Sequence, residues 1–220
     1  MLALANCVLF FVVSGIQYWC TFYFVKNLHV PQEKGAIYFG TVALSSPVMG
    51  AALSGYYTDY WGGIYSSKII RGILYLMIPS IIVSVPIPFI DNVMLVLTLF
   101  WLLLFFGAMI LPILTAVILT KVEPEMRPRA NSIANLLYEL LGYFPAPIAY
   151  GYACQIQGGP DPRAGMAVLM FATMVMPVFT LLAVFCERRQ KMKEEEEAGR
   201  KKRERNFEND RSKLQEESYC

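Results

Sequence analysis

The chain alternates long apolar runs with short polar breaks. A bilayer-spanning helix needs about 20 mostly apolar residues. Six stretches meet that length: roughly residues 3–25, 36–62, 69–90, 93–120, 129–154 and 165–186. Val93–Thr120 shows the pattern most plainly. It carries no charge, and Phe100-Trp101-Leu102-Leu103-Leu104-Phe105-Phe106 is apolar on every side. A surface helix of a water-soluble protein keeps a polar face, and this one has none. The pattern predicts an all-α integral membrane protein with six transmembrane helices. The first stretch is read as a span and not a signal peptide, because Met1-Leu2-Ala3-Leu4-Ala5-Asn6 has no basic residue and the apolar run is too long.

Composition sharpens this reading. Hydrophobic residues make up 56% of the 220 and charged residues 16%, with a mean hydropathy of +0.45. Soluble domains average about 25% charged residues. The charge also collects after Cys186, in a run that opens Glu187-Arg188-Arg189-Gln190-Lys191. Two regions follow: a transmembrane domain over 1–186 and a charged tail over 187–220. In the tail, Lys191, Lys193 and Glu194–Glu197 offer helical charge pairs. The basic run Arg200–Arg205 is flanked by acids and hangs from a membrane domain, so nucleic acid is not expected as a partner.

Several chemistries are not expected. The cysteines (Cys7, Cys20, Cys154, Cys186, Cys220) show no metal or disulfide spacing, and His29 lies in a loop without ligand partners. Gly62-Gly63 and Gly158-Gly159 lack the lysine context of a phosphate-binding loop. No metal, no cofactor and no enzymatic activity are expected.

Basic residues near the span ends are asymmetric. Lys68, Arg71, Lys121, Arg127, Arg129, Arg188, Arg189, Lys191 and Lys193 fall on the side of the termini, and only Lys26, Lys34 and Arg163 on the other. Positive charge accumulates on the cytoplasmic side, which places both termini in the cytoplasm. The kind of membrane is not legible.

Two spans carry more information. The second has two rows of small residues four apart: Ala43, Pro47, Ala51, Gly55, and Ser46, Gly50, Ser54, Thr58. Small residues let helices approach closely in lipid, so this face is expected to dock on a neighbour. The span ends in Gly55-Tyr56-Tyr57-Thr58-Asp59-Tyr60-Trp61-Gly62-Gly63. This Gly-x-x-x-Asp-x-x-Gly pattern (Gly55, Asp59, Gly62) resembles the loop motif of the major facilitator superfamily. The basic pair that follows the second glycine in that family is missing here.

The fifth span opens Pro124-Glu125-Met126-Arg127 and closes Gly142-Tyr143-Phe144-Pro145-Ala146-Pro147. It is similar to the eleventh helix of facilitator proteins related to the organic-anion-transporting polypeptides and the spinster-like lipid transporters. The resemblance implies the C-terminal half of a major facilitator fold, six helices as two three-helix units related by an inverted repeat.

Independently of any family, Asn131, Asn135 and Glu139 recur every four residues and share a helix face. Glu139 lies ten residues past Arg129, about 15 Å deep at a rise of about 1.5 Å per residue. It is the only acidic residue well inside a span. A charge there costs about 2.5–3.5 kcal/mol on insertion scales, so Glu139 is the first candidate for a substrate-binding or proton-carrying group. The alternative is a protonated side chain satisfied by helix packing. Tyr138 beside it, with Gln17 and Tyr18 on the first span, completes the candidate cavity. Ser14 and Thr21 share that first-span face. Pro145 and Pro147 are expected to break the fifth helix.

The expected function is secondary transport of a small or amphipathic organic solute by alternating access, with a proton as candidate coupling ion. The alternative is a non-transporting membrane scaffold or a pseudo-transporter fragment. The expected partners are the solute, the lipid bilayer, and either a missing N-terminal half or a second copy. Met1 abutting the first span favours a longer chain.

Overall fold

A computed structural model describes residues 1–66, 68–156 and 161–186, with isolated positions to 200. Met1–Thr180 form one compact unit and Leu181–Cys220 a second. Most of the tail predicted over 187–220 lies outside the described residues.

The chain is all-helical among the described residues. The order is α1 (Leu2–Lys26), α2 (Gln32–Tyr60), α3 (Ile69–Ser84), α4 (Val93–Thr120), α5 (Arg127–Leu137), a π-helical turn (Tyr138–Tyr143), α6 (Pro145–Ile156) and α7 (Pro162–Ala172). Five helical stretches are long and apolar enough to cross a membrane: Leu2–Lys26, Gln32–Tyr60, Ile69–Phe89, Val93–Thr120 and Pro162–Cys186. The protein is therefore a multi-pass α-helical membrane protein. The remaining expected span, 129–154, is helical but is not among these five. Asn131, Ser132, Asn135, Glu139 and two prolines dilute its apolar content.

Local chemistry sets the helix ends. Asn92 caps α4, its Oδ1 accepting from the backbone N–H groups of Met94 at 3.0 Å and Leu95 at 3.3 Å. Asp161 caps α7 by accepting from Arg163 N–H at 2.9 Å. Side-chain oxygens at this position satisfy amides that have no intrahelical partner. Helix α2 closes with Gly62 N–H on Asp59 O and Gly63 N–H on Thr58 O, both at 2.9 Å. Both glycines sit at positive φ (88° and 83°), where a side chain would be strained.

Contacts fix the helix directions. Asn6 of α1 donates to Thr115 of α4, and Phe24 meets Phe100, so these two helices are antiparallel. Ser45 pairs with Trp101, and Gly50 with Phe105, so α2 and α4 are parallel. Of the two small-residue rows on α2, Ser46, Gly50, Ser54 and Thr58 are buried, whereas Ala51 and Gly55 stay exposed. A side chain at Gly50 would collide with the Phe105 carbonyl oxygen. Close backbone approach of this kind is how helices associate where lipid supplies no hydrophobic drive. Ser84 of α3 and Thr173 share a buried hydroxyl–hydroxyl bond of 2.7 Å. Among the five apolar stretches α2 is the most exposed, with 17% of its apolar stretch buried against 44% for α1 and for Ile69–Phe89.

Candidate functional site

The 127–156 stretch runs parallel to α1 along most of its length. Cys7 Sγ–H points to Leu137 O at 3.6 Å, Ser14 Oγ–H donates to Tyr143 O at 2.8 Å, and Trp19 Nε1–H donates to Pro147 O at 3.2 Å. The Trp19 and Tyr150 rings then stack at 4.8 Å. The order 7, 14, 19 against 137, 143, 147 sets the direction and the register.

The sequence explains the π turn between α5 and α6. Pro145 has no N–H for the carbonyl of Leu141, four residues back, so the α pattern cannot continue there. The chain shifts to bonding five residues back, as in Phe144 N–H on Glu139 O at 2.9 Å. Such turns are rare and frequently mark functional sites. Pro147 likewise leaves the Tyr143 carbonyl without its helical donor, and Ser14 supplies one from α1. Helix breaks in lipid persist where a neighbour re-satisfies the backbone, and here α1 is that neighbour. The break expected at Pro145 and Pro147 is thus a π turn in an otherwise continuous helical path.

The candidate residues divide into two groups. Gln17 and Tyr18 are exposed on α1, and both reach Tyr143 of the π turn. Tyr143 donates its hydroxyl proton to Gln17 Oε1 at 3.1 Å, and its ring meets Tyr18 edge-on at 6.4 Å. Glu139 and Asn135 are exposed on the same helical path, and Asn131 is half-buried. The Glu139 carboxylate makes no hydrogen bond or ion pair among the described residues. Within a turn bonded five residues back, residues four apart remain on nearly one face, so Glu139 and Tyr143 share an aspect.

Tyr138 belongs to the second group. It is 2% exposed and stacks on Phe10 of α1 at 5.2 Å, turned away from the open side. Asn6, fully buried and bonded to Thr115 at 3.2 Å, lies on the same packed side. Ser14 is buried too, spent on the Tyr143 carbonyl, and Thr21 is half-buried.

Sequence reading missed Tyr143 as a site residue. Its signal was its place four residues after Glu139, hidden because it was read only as part of the proline break.

Of the loop-motif residues, Gly55 and Asp59 are exposed, and no described residue bonds the Asp59 carboxylate. Gly62 acts in the turn that ends α2. Trp61 packs back on α3, stacked on Tyr75 at 5.5 Å, and the Tyr57 hydroxyl donates to Gly72 O at 2.7 Å. The described residues hold no cluster of His, Cys, Asp and Glu suited to a metal ion.

No family model, curated protein or solved structure matches the chain.

Proposed function

We propose that the chain is the C-terminal six-helix half of a facilitator-type secondary transporter, moving a small or amphipathic organic solute by alternating access. The observation that carries this reading is the open polar face formed by Gln17, Tyr18 and Tyr143, with Glu139 and Asn135 on the same helical path. It lies deep in the apolar body: Gln17 is nine residues from Lys26, about 14 Å at the helical rise of about 1.5 Å per residue. Polar groups at that depth face a watery cavity or a partner, not acyl chains. The 127–156 helix supports a sixth crossing, because it accompanies α1 from Cys7 to Trp19 in the same direction. Six crossings put both termini on one side, and the excess of basic residues at those span ends supports the cytoplasm for that side.

A facilitator cavity lies between two such halves. The open face therefore has a counterpart, either an N-terminal half or a second copy of this chain. The exposed row of α2, Ala51 and Gly55, is available to that counterpart.

The test is solute uptake by the assembled transporter, wild type against Glu139→Gln and Gln17→Ala. Uptake is expected to fall at least tenfold in the first variant. Unchanged uptake and unchanged pH dependence in both would remove the cavity role of this face.

A further inference from the structure

We infer that the solute received at this face carries a positive charge on an aromatic or apolar body. The inference rests on the transport reading above and names its substrate class.

The first ground is the distribution of fixed charge. Within Leu2–Val25, Gly35–Thr58, Gly72–Ser84, Val93–Thr120, Ala130–Ile156 and Ala164–Cys186, Glu139 is the only Asp, Glu, Lys, Arg or His. Every cation of the transmembrane region sits at a helix end or in a loop, and the nearest along the helix, Arg129, is ten residues away. The interior of this half therefore offers an anionic solute no compensating charge, and it offers a cation one carboxylate. That carboxylate is exposed and has no protein partner among the described residues. In a watery cleft with low-dielectric walls, the field of a single acidic group is focused and selects the sign of the ligand.

The second ground is the aromatic chemistry of the same open face. Tyr18 is 62% exposed and meets Tyr143 edge to face, and Tyr143 lies four residues after Glu139. Aromatic faces attract cations, and ammonium ligands are recognised in this way. Tyr143 gives its hydroxyl proton to Gln17 Oε1. With its proton so spent, its oxygen can only accept a further hydrogen bond. The carboxylate, that oxygen and the Tyr18 ring together favour a ligand that is positive.

The experiment uses two probes of nearly equal size and opposite charge, tetraphenylphosphonium and tetraphenylborate. Each is titrated onto the assembled transporter, this chain together with its counterpart, in nanodiscs of zwitterionic lipid, with empty nanodiscs as background. Saturable phosphonium binding is expected, weakened at least tenfold by Glu139→Gln, retained in Glu139→Asp, and weakened several-fold by Tyr18→Leu. Borate is expected at background. Saturable borate binding, phosphonium at background, or phosphonium binding unmoved by Glu139→Gln would overturn the inference. A melting curve separates misfolded variants from binding-deficient ones, and the Glu139→Asp result then decides.

A second measurement separates this inference from the reading beneath it. Gln17→Cys, in a Cys186→Ser/Cys220→Ser background, is treated with a membrane-impermeant maleimide. Labelling without phosphonium binding would defeat the charge inference and leave the watery face standing. No labelling would defeat both.

Discussion

Ser14 donates its hydroxyl to the carbonyl of Tyr143 at 2.8 Å, and that carbonyl is the one whose helical donor Pro147 cannot provide. A break in one helical path is thereby repaired by a side chain of α1, and the two are held in register next to the open polar face. Ser14→Ala removes the donor and leaves a carbonyl unpaired in a medium without water. Stability is expected to drop by about 1 kcal/mol, within the range for interhelical hydrogen bonds in membranes. Reversible unfolding in bicelles measures it; a Ser14→Ala variant as stable as wild type would mean the carbonyl finds another donor.

Gly50 and Gly55 lie on the same helix with opposite surroundings. A Cβ at Gly50 meets the Phe105 carbonyl oxygen, whereas a Cβ at Gly55 meets open space. Gly50→Ala is expected to cost about 1–3 kcal/mol as α2 is pushed off α4. Gly55→Ala is expected to change the stability of this chain by no more than about 0.5 kcal/mol. If the exposed row docks a counterpart, Gly55→Ala weakens association while leaving the monomer intact. Thermal scans of the chain and native mass measurements of the assembly read the two effects separately.

Arg163 ties together three segments at the far ends of the helices. Its Nη2 meets Asp91 Oδ1 at 2.5 Å and its Nε donates to Asn27 Oδ1 at 2.6 Å. The two charged side chains are 46% and 69% exposed, so solvent screens the pair and its contribution is about 0.2–1 kcal/mol. A double-mutant cycle with Arg163→Ala and Asp91→Ala is expected to return a coupling in that range, shrinking as salt is raised. A coupling above that range would show that the surrounding medium screens less than this exposure implies.

Sidedness is open to direct chemistry. Glu33 and Glu125 are both exposed, at the start of α2 and just before α5. In sealed vesicles with the cytoplasmic side inward, an impermeant maleimide is expected to modify Glu33→Cys and spare Glu125→Cys. The reverse result inverts the orientation. Modification of both, or of neither, contradicts an odd number of crossings between them.

Much of the architecture was legible in the residue pattern, because lipid imposes a length and a composition on any helix that crosses it. The fourth span matches its expected limits, Val93–Thr120. The second span's small residues announced a close contact, since only their size permits one. Glu139 stood out because charge at that depth is costly. These are properties of single helices in a known solvent, and a sequence carries them without reference to other helices.

What the tertiary structure alone decided is which faces meet. Four-residue spacing put Asn131, Asn135 and Glu139 on one row and made Tyr138 their neighbour, but packing turned Tyr138 onto Phe10 and left Glu139 open. Ser14 shares a face with Gln17 in sequence, yet it is buried because the unpaired Tyr143 carbonyl lies opposite it. The partner of a broken backbone group sits 129 residues away in the chain. No local periodicity encodes that pairing; it exists only once α1 and the π turn lie side by side.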